Sequence, residues 1–478
     1  MKNEKKKKSN KFYKFIYILL FIVTCIFTAG VYFLKMLPMK YFLVVICFDV
    51  FILGLFALIF LNTHVKKVVK FFFLLFALGL MAGMGVGSKY LLSTIGAIDK
   101  VTQKINYKTE NYSVLVLAKN KYEDISELEN LNLGYLDNAS EGTSKALKKV
   151  KEKVETKNLA YEDVAKLESD LLKEDIDALV VEDSFKQIMD EESEKFNLST
   201  QILYSFSVKV KEEKSSKSVD VTKEPFNVYI TGIDTYGKIS SVSRSDVNII
   251  ATVNPTTKKV LLTSIPRDYY VPLKGMNGAK DKLTHAGIYG VEKSIGTIED
   301  LLDIKINYYV KVNFTSVENI VDTLGGITVH SDYSFVSKDG YKYTKGDNKV
   351  NGKRALSFAR ERYSFNDGDI QRGKNQIYVI EAIADKLMSF KSVANYEKLL
   401  DTIEGNFETN LSNKDISNFI KMQIDDMQMF TIESNSLKGT GSKESTYTYK
   451  SSKSYVMLPD NASVASAKTK ISKIVNES

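Results

Sequence analysis

Three apolar runs within the first ninety residues constrain this chain more than any other feature. Residues 15–34 and 41–61 each hold about the 20 residues an α-helix needs to cross a bilayer. Residues 71–87, extended by Val68 and Val69, form a shorter third run. Three transmembrane helices are therefore predicted. The first is not read as a cleavable signal peptide, because two more runs follow it and no small-residue cleavage site is evident. Seven lysines lie in residues 1–14, Lys35 and Lys40 fall between the first two runs, and Lys66, Lys67 and Lys70 fall between the last two. Lysine-rich flanks stay in the cytoplasm, so the N-terminus is expected inside and everything after about residue 90 outside. Cys25 and Cys47 sit inside the first two runs, which leaves the exported part to be held by its core alone. Asp49, within the second run, is either functional or a helix-packing partner.

The net charge of +8 is misleading. Residues 1–89 hold 13 lysines against Glu4 and Asp49, so the remaining chain is left at −3. A slightly acidic exported portion is not the electrostatic footprint of a nucleic-acid-binding domain. The basic N-terminal segment reads as a topology signal or a contact for anionic membrane lipids.

Three regions are expected: a membrane anchor over 1–97, an accessory α/β domain over 98–215, and a larger domain over 216–478 with its core at 226–390. In the accessory region strands are predicted at 113–118, 133–136, 178–181 and 202–210, and amphipathic helices at 144–155 and 161–173. It contains no Arg, no His and no recognisable catalytic cluster, so no chemistry is assigned to it. Residues 211–224 lack apolar periodicity and read as an exposed linker. In the larger region strands are predicted at 227–232, 246–254, 259–265 and 308–313, with helices at 291–302, 316–324, 352–361 and 369–390. That interleaving predicts an α/β layered fold with a mixed sheet. The Ser/Thr/Tyr/Lys-rich stretch at 434–454 reads as loop and edge structure on the same domain.

The chain has only six arginines against 60 lysines, and all six fall between Arg244 and Arg372. A planar guanidinium grips phosphate oxygens bidentately, which a lysine point charge cannot do. Four islands join these arginines to aspartates at the ends of predicted elements. They are Gly232-Ile233-Asp234; Ser243-Arg244-Ser245-Asp246; Ile265-Pro266-Arg267-Asp268; and Arg360-Glu361-Arg362 followed by Asp367, Asp369, Arg372, Lys374 and Gln376. The helix before Arg360 is expected to end near Phe358, because two arginines at i and i+2 share one side only in an extended chain. A carboxylate just after a strand often faces a ligand crevice. Two carboxylates beside several arginines suit a divalent cation and phosphate, although Asp234 and Asp246 also read as caps or ion-pair partners. No Ser-His-Asp set, phosphate-binding Gly-rich loop or zinc pattern is present, and of three scattered histidines only His285 lies near the islands.

The ordered islands GID, SRSD, SIPRD, KLTHA, DTLGGI and RERYSFNDGDIQRGKNQ resemble the LytR-CpsA-Psr family of bacterial cell-envelope proteins over residues 226–390. Three spans followed by an extra exported domain further resemble its streptococcal capsule-type CpsA members. The resemblance implies a phosphotransferase that moves a glycopolymer, with capsular polysaccharide the expected cargo, from an undecaprenyl pyrophosphate carrier onto peptidoglycan. Mg²⁺ is the implied cofactor, and the capsule assembly machinery a further implied partner. Matched residue by residue, Asp234 and Asp246 would hold the metal. Arg244, Arg267, Arg360 and Arg362 would grip the pyrophosphate, with Asp369, Arg372 and Gln376 organising the last block. Arg267, Asp268 and Arg362 are the expected catalytic residues, and Asp268 and Asp234 the candidate bases. Many members carry Arg immediately before that Gln, where this chain has Asn375. Arg354 falls outside the islands and is assigned to structure. Two other readings remain open: a membrane-bound transcriptional attenuator, for which the short cytoplasmic segments offer no helix-turn-helix, and a non-catalytic binder of polyprenyl phosphate that regulates polymer assembly.

Overall fold

Each of the three apolar runs becomes one helix in the computed structural model: α1 (Lys2–Leu34), α2 (Met39–Phe60) and α3 (Lys67–Thr102). The structure describes residues 2–34, 37–102, 107–138, 140–211, 217–234, 236, 243–366, 368–388, 407–426 and 428–477. Lys35, Asp367, residues 212–216 of the expected linker and the last two residues of the helix predicted at 369–390 lie outside the described residues. The chain forms two units, one of Met1–Lys100 with Ser392–Glu404 and Ser412–Met429, the other of Val101–Lys391 with Gly405–Leu411 and Phe430–Ser478.

In the first unit, Lys11–Phe33, Met39–Phe60 and Lys67–Gly96 are long and apolar enough to cross a membrane. Leu20, Phe56, Phe60 and Ala77 are buried among them. Asp49 of α2 accepts a hydrogen bond from Thr28 Oγ1 of α1 at 2.6 Å, which makes it a helix-packing partner. The helix Asn413–Asp426 groups with this unit, and Asp425 pairs there with Lys40 at 2.6 Å.

The second unit contains two mixed sheets. β1 (Tyr107–Leu117), β2 (Asn132–Leu136), α4 (Glu141–Lys151), β3 (Lys157–Tyr161), α5 (Val164–Leu172), β4 (Ala178–Glu182), α6 (Asp183–Glu192), α7 (Glu194–Ser199) and β5 (Thr200–Lys211) form the first, with strand order β3-β2-β4-β1-β5. Alternation along β1 feeds both faces. Val114 and Val116 pack with Ala146 and Val150 of α4, whereas Leu115 and Leu117 pack with Leu167 of α5 and Phe185 of α6. β3, α6 and α7 were not legible in the sequence.

The second sheet follows in β6 (Phe226–Ile233), β7 (Ser245–Asn254), β8 (Lys259–Ser264), the short strands β9 (Tyr270–Pro272) and β10 (Lys280–Lys282), α8 (Leu283–Ala286), α9 (Val291–Leu302), β11 (Tyr308–Asn313) and α10 (Phe314–Thr323). Small hairpin strands β12 (Ile327–Ser331), β13 (Phe335–Val336), β14 (Lys342–Tyr343) and β15 (Gly346–Val350) lead to α11 (Gly352–Arg360) and α12 (Gly368–Met388). The chain ends its sheet work with β16 (Glu408–Thr409), β17 (Thr431–Ser436), β18 (Gly439–Ser445) and β19 (Lys453–Pro459). The main sheet runs β16-β11-β6-β7-β8-β17, parallel at β11–β6 and β8–β17 and antiparallel elsewhere.

Helices cover both faces, which explains why its central strands read as near-continuous apolar runs. Tyr229, Ile250 and Leu261 face α9 and the helix Asn461–Asn476, and Ile249, Ala251 and Leu262 face Ile377 of α12. That late helix was missed in the sequence although Val464, Ala467, Ile471 and Ile474 recur at helical spacing and Asp460 caps it by accepting from Ser463 N. The stretch at 434–454 forms the end of edge strand β17, β18, a loop over 446–452 and the start of β19, in line with the expected loop and edge structure.

Candidate functional site

Strand pairing alone brings the first three islands together. β6 and β7 are antiparallel with Ile233 opposite Ser245, so Asp234, one residue past β6, and Asp246, at the start of β7, meet at one edge of the sheet. Gly232 is needed there, because a Cβ on it would lie 2.6 Å from Val247 Cγ2. β8 runs antiparallel to β7 with Ser264 opposite Ile249, which delivers the segment Ile265-Pro266-Arg267-Asp268 to the same edge. Arg267 Nη1 then lies 2.9 Å from Asp246 Oδ2, and its Nε 3.6 Å from Asp268. Thr284 Oγ1 donates to Asp246 Oδ1 at 2.8 Å, and Thr284 N donates to the Arg267 carbonyl at 2.8 Å. His285 does no work at this edge: its ring is buried against Asp281 at 2.7 Å, which fixes the KLTHA turn.

The fourth island arrives on α11 and α12. Helix α11 ends at Arg360, two residues beyond the expected Phe358, and Glu361 continues in extended conformation. The buried Glu361 carboxylate accepts from the backbone N–H groups of Lys338, Tyr363 and Ser364 at 2.6, 2.8 and 3.0 Å, fixing the turn between the two arginines. Arg360 stacks on the Phe314 ring at 4.1 Å and sits 3.8 Å from Asp234 Oδ1. Arg362 instead donates to the Tyr363 hydroxyl at 2.6 Å. On α12, Arg372 pairs with Asp369 at 2.5 Å. Gly373 lets that helix press against β8, since a Cβ there would lie 2.6 Å from Ser264 Oγ. Asp246, Arg267, Asp369, Arg372, Gln376 and Leu437 line one pocket.

The remaining positions resolve as structure. Arg354 donates to the Lys342 carbonyl at 2.8 Å and stacks on Tyr343, in keeping with its assignment. Asn375 is buried and donates to the Phe358 carbonyl at 3.2 Å, joining α12 to α11, while Lys374 is exposed. The position that departs from the family pattern thus braces two helices.

Electrostatics split the two facing carboxylates. Burial, then the charge of Asp246, pushes the Asp234 carboxyl up despite Arg360. Asp246 goes the other way: burial opposes its charge, but the guanidinium groups of Arg267, Arg244 and Arg372 hold it well below the usual carboxylate range. Asp369 is pushed up by burial, against the pull of Arg372. Arg244, Arg267 and Arg372 each retain a buried Nε–H with no acceptor. Unmet buried donors are uncommon and call for an explanation.

One member of this cluster was not anticipated. Glu191, on α6 of the accessory sheet, forms an ion pair with Arg244 Nη1. The clue was the acidic run Asp190-Glu191-Glu192 following Phe185, Ile188 and Met189 at helical spacing, in a stretch not read as helix.

The chain is similar to known proteins over about half of its length. The polyisoprenyl-teichoic acid–peptidoglycan teichoic acid transferase TagU of Enterococcus faecalis is 39% identical over 243 residues, which cover 50% of this chain and 78% of that protein. The TagU of Bacillus subtilis is 38% identical over 236 residues, covering 49% and 75%. A crystal structure of B. subtilis TagU aligns at 32% identity with a TM-score of 0.42 over 54% of this chain and 99% of that one. The family model for LytR_cpsA_psr matches residues 193–464, from the start of α7 through the main sheet to the start of the last helix. By the extent of that match, the chain belongs to the LytR_cpsA_psr family.

Proposed function

We propose that this site transfers a glycopolymer from a polyisoprenyl pyrophosphate carrier to peptidoglycan, with capsular polysaccharide as the cargo. The observation that carries the reading is the convergence of Arg244, Arg267, Arg360 and Arg372 on the edge that holds Asp234 and Asp246, with three buried guanidinium N–H groups unmet. The named activity of the TagU relatives, teichoic acid transfer to peptidoglycan, supports the same class of reaction.

In this reaction a sugar hydroxyl of the acceptor attacks the phosphorus next to the glycan. A new oxygen–phosphorus bond forms, the pyrophosphate bridge breaks, and the lipid phosphate leaves with the bridging oxygen. Arg267 and Arg372 bind the charge on the pyrophosphate, and Gln376 orients it within their pocket. Arg360, held by Phe314, and Arg362, held by Tyr363, complete the grip on the pyrophosphate. Asp268 is the candidate base for the hydroxyl proton, with Asp234 the alternative where no cation occupies it.

The donors at this edge fit Mg²⁺. Asp234 and Asp246 face each other at a cost in repulsion that a cation relieves, and among the described residues no third acidic or histidine ligand joins them. A magnesium ion takes one or two carboxylates and completes its shell from phosphate oxygens and water. When bound, it would supply charge neutralisation at the pyrophosphate.

The lysine asymmetry around α1, α2 and α3 supports a multi-pass anchor with the two sheets outside the cell. The test is the full-length protein in detergent, mixed with lipid-linked glycan, Mg²⁺ and a peptidoglycan acceptor. Covalent, Mg²⁺-dependent attachment of glycan is expected. Bound lipid with no transfer would favour a regulatory binder instead.

A further inference from the structure

The accessory sheet supplies a residue to the arginine cluster, and its geometry assigns that residue a task. The five arginines at the sheet edge, Arg244, Arg267, Arg360, Arg362 and Arg372, stand beside Asp234, Asp246, Asp268 and Asp369 from the same sheet and its helices. Glu191 is a further carboxylate at this cluster, paired with Arg244. It alone comes from the other sheet.

The two partners in that pair are unequal. The Arg244 side chain is 5% exposed, whereas that of Glu191 is 50% exposed, the most open of the five carboxylates. The arginine is therefore fixed in place while the carboxylate can swing into solvent. Burial opposes the charge on Glu191, yet the Arg244 guanidinium outweighs it and keeps this carboxyl ionised.

The helix that carries Glu191 is anchored independently of that contact. Phe185 of α6 meets Tyr289 edge-on at 6.1 Å, and Ile288 and Tyr449 join its apolar cluster. The next residue, Glu192, pairs with Lys282 at 2.6 Å, both side chains largely covered. Release of Glu191 from Arg244 leaves these ties intact.

Resting on the phosphate-grip reading above, we propose that Glu191 is a resident competitor for Arg244. It holds the arginine as a stand-in anion, and the carrier pyrophosphate must displace it to complete the grip. The accessory sheet thereby sets the affinity of the site. A guanidinium already paired with a carboxylate has less pull on an incoming anion, and removal of that carboxylate adds one unit of positive charge to the cluster.

The experiment measures binding of inorganic pyrophosphate and of a short prenyl pyrophosphate to the full-length protein in detergent, alongside KM and kcat for transfer. Glu191→Gln keeps the shape and removes the charge, and should raise affinity for both probes about tenfold, the scale of one charged hydrogen bond. KM should fall with kcat unchanged. Glu192→Gln, which touches Lys282 and not Arg244, should leave probe affinity as in wild type. The Glu191→Gln gain should vanish in an Arg244→Ala background. Glu191→Asp, which withdraws the carboxylate by one methylene, should act in the same direction to a smaller extent and serves if the Gln variant folds poorly. Unchanged affinity in Glu191→Gln, a gain that survives without Arg244, or a fall in kcat at constant KM would each overturn the proposal. Wild-type protein that binds neither probe would instead overturn the phosphate-grip reading itself.

Discussion

Each sheet covers a carboxylate, Glu182 in one and Asp246 in the other, and the two behave in opposite ways. In the accessory sheet Glu110 and Glu182 are buried with Tyr112, and the half-buried Lys108 lies 2.9 Å from Glu110. Burial first, then Glu110, pushes the Glu182 carboxyl up to about 8. In the main sheet Asp246 is buried as well, yet Arg267, Arg244 and Arg372 hold it fully ionised. Burial alone therefore does not decide whether a carboxylate keeps its charge. The convergence of Arg267, Arg244 and Arg372 holds Asp246 ionised, whereas at Asp234 and Asp369 burial outweighs the nearby arginines.

The strongest way to break this contrast is Arg267→Lys. A point charge in place of the fork at Asp246 should lower transfer by about 10²- to 10³-fold while leaving the melting temperature within a few degrees. Wild-type turnover in that variant would show that the site is misplaced. Gly373→Ala should come next. Its Cβ meets Ser264 Oγ, so the Ser264 hydroxyl must turn away beside the helix that carries Arg372, with an expected cost of about 1 kcal/mol in stability and a rise in KM. A denaturant titration combined with steady-state kinetics reads both effects.

Glu182 sharpens the comparison from the other side. Its folded pKa lies above the unfolded value of 4.5, so the folded state holds more protons and its stability falls as pH rises from about 4.5 to about 8. Glu182→Gln should flatten that slope and make the variant the more stable protein at pH 8, as followed by thermal melts across the range. Equal slopes for the two proteins would refute the assignment. The smallest effect is expected from Arg354→Lys, because Arg354 serves the Lys342 carbonyl and Tyr343 rather than phosphate. Transfer should stay within about twofold, the range of a surface change away from the chemistry.

Much of this was readable in the sequence wherever the signal was local. Short apolar runs placed β6, β7, β8 and β11 to within a residue or two, and α9 matched at both ends. The islands of Asp and Arg were visible because they interrupt apolar runs at strand ends. What the sequence hid was non-local. Nothing near Glu191 hints at Arg244, 53 positions later, because their meeting depends on how α6 packs against Ile288 and Tyr449. The helix Asn461–Asn476 was obscured for a different reason. Its exposed face is rich in Ser, Thr and Lys, and that polarity masked the four apolar positions that fill the core.

Glu361 shows how a sequence can mislead about charge. Written as Arg-Glu-Arg, the tripeptide looks like a partly cancelled basic patch. In the fold the acidic residue is turned inward and satisfied by three backbone N–H groups. Its negative charge is spread into peptide dipoles away from solvent, so an approaching anion meets both flanking cations nearly undiminished. Neutralising Glu361 would accordingly add little attraction and would cost the turn that aims them.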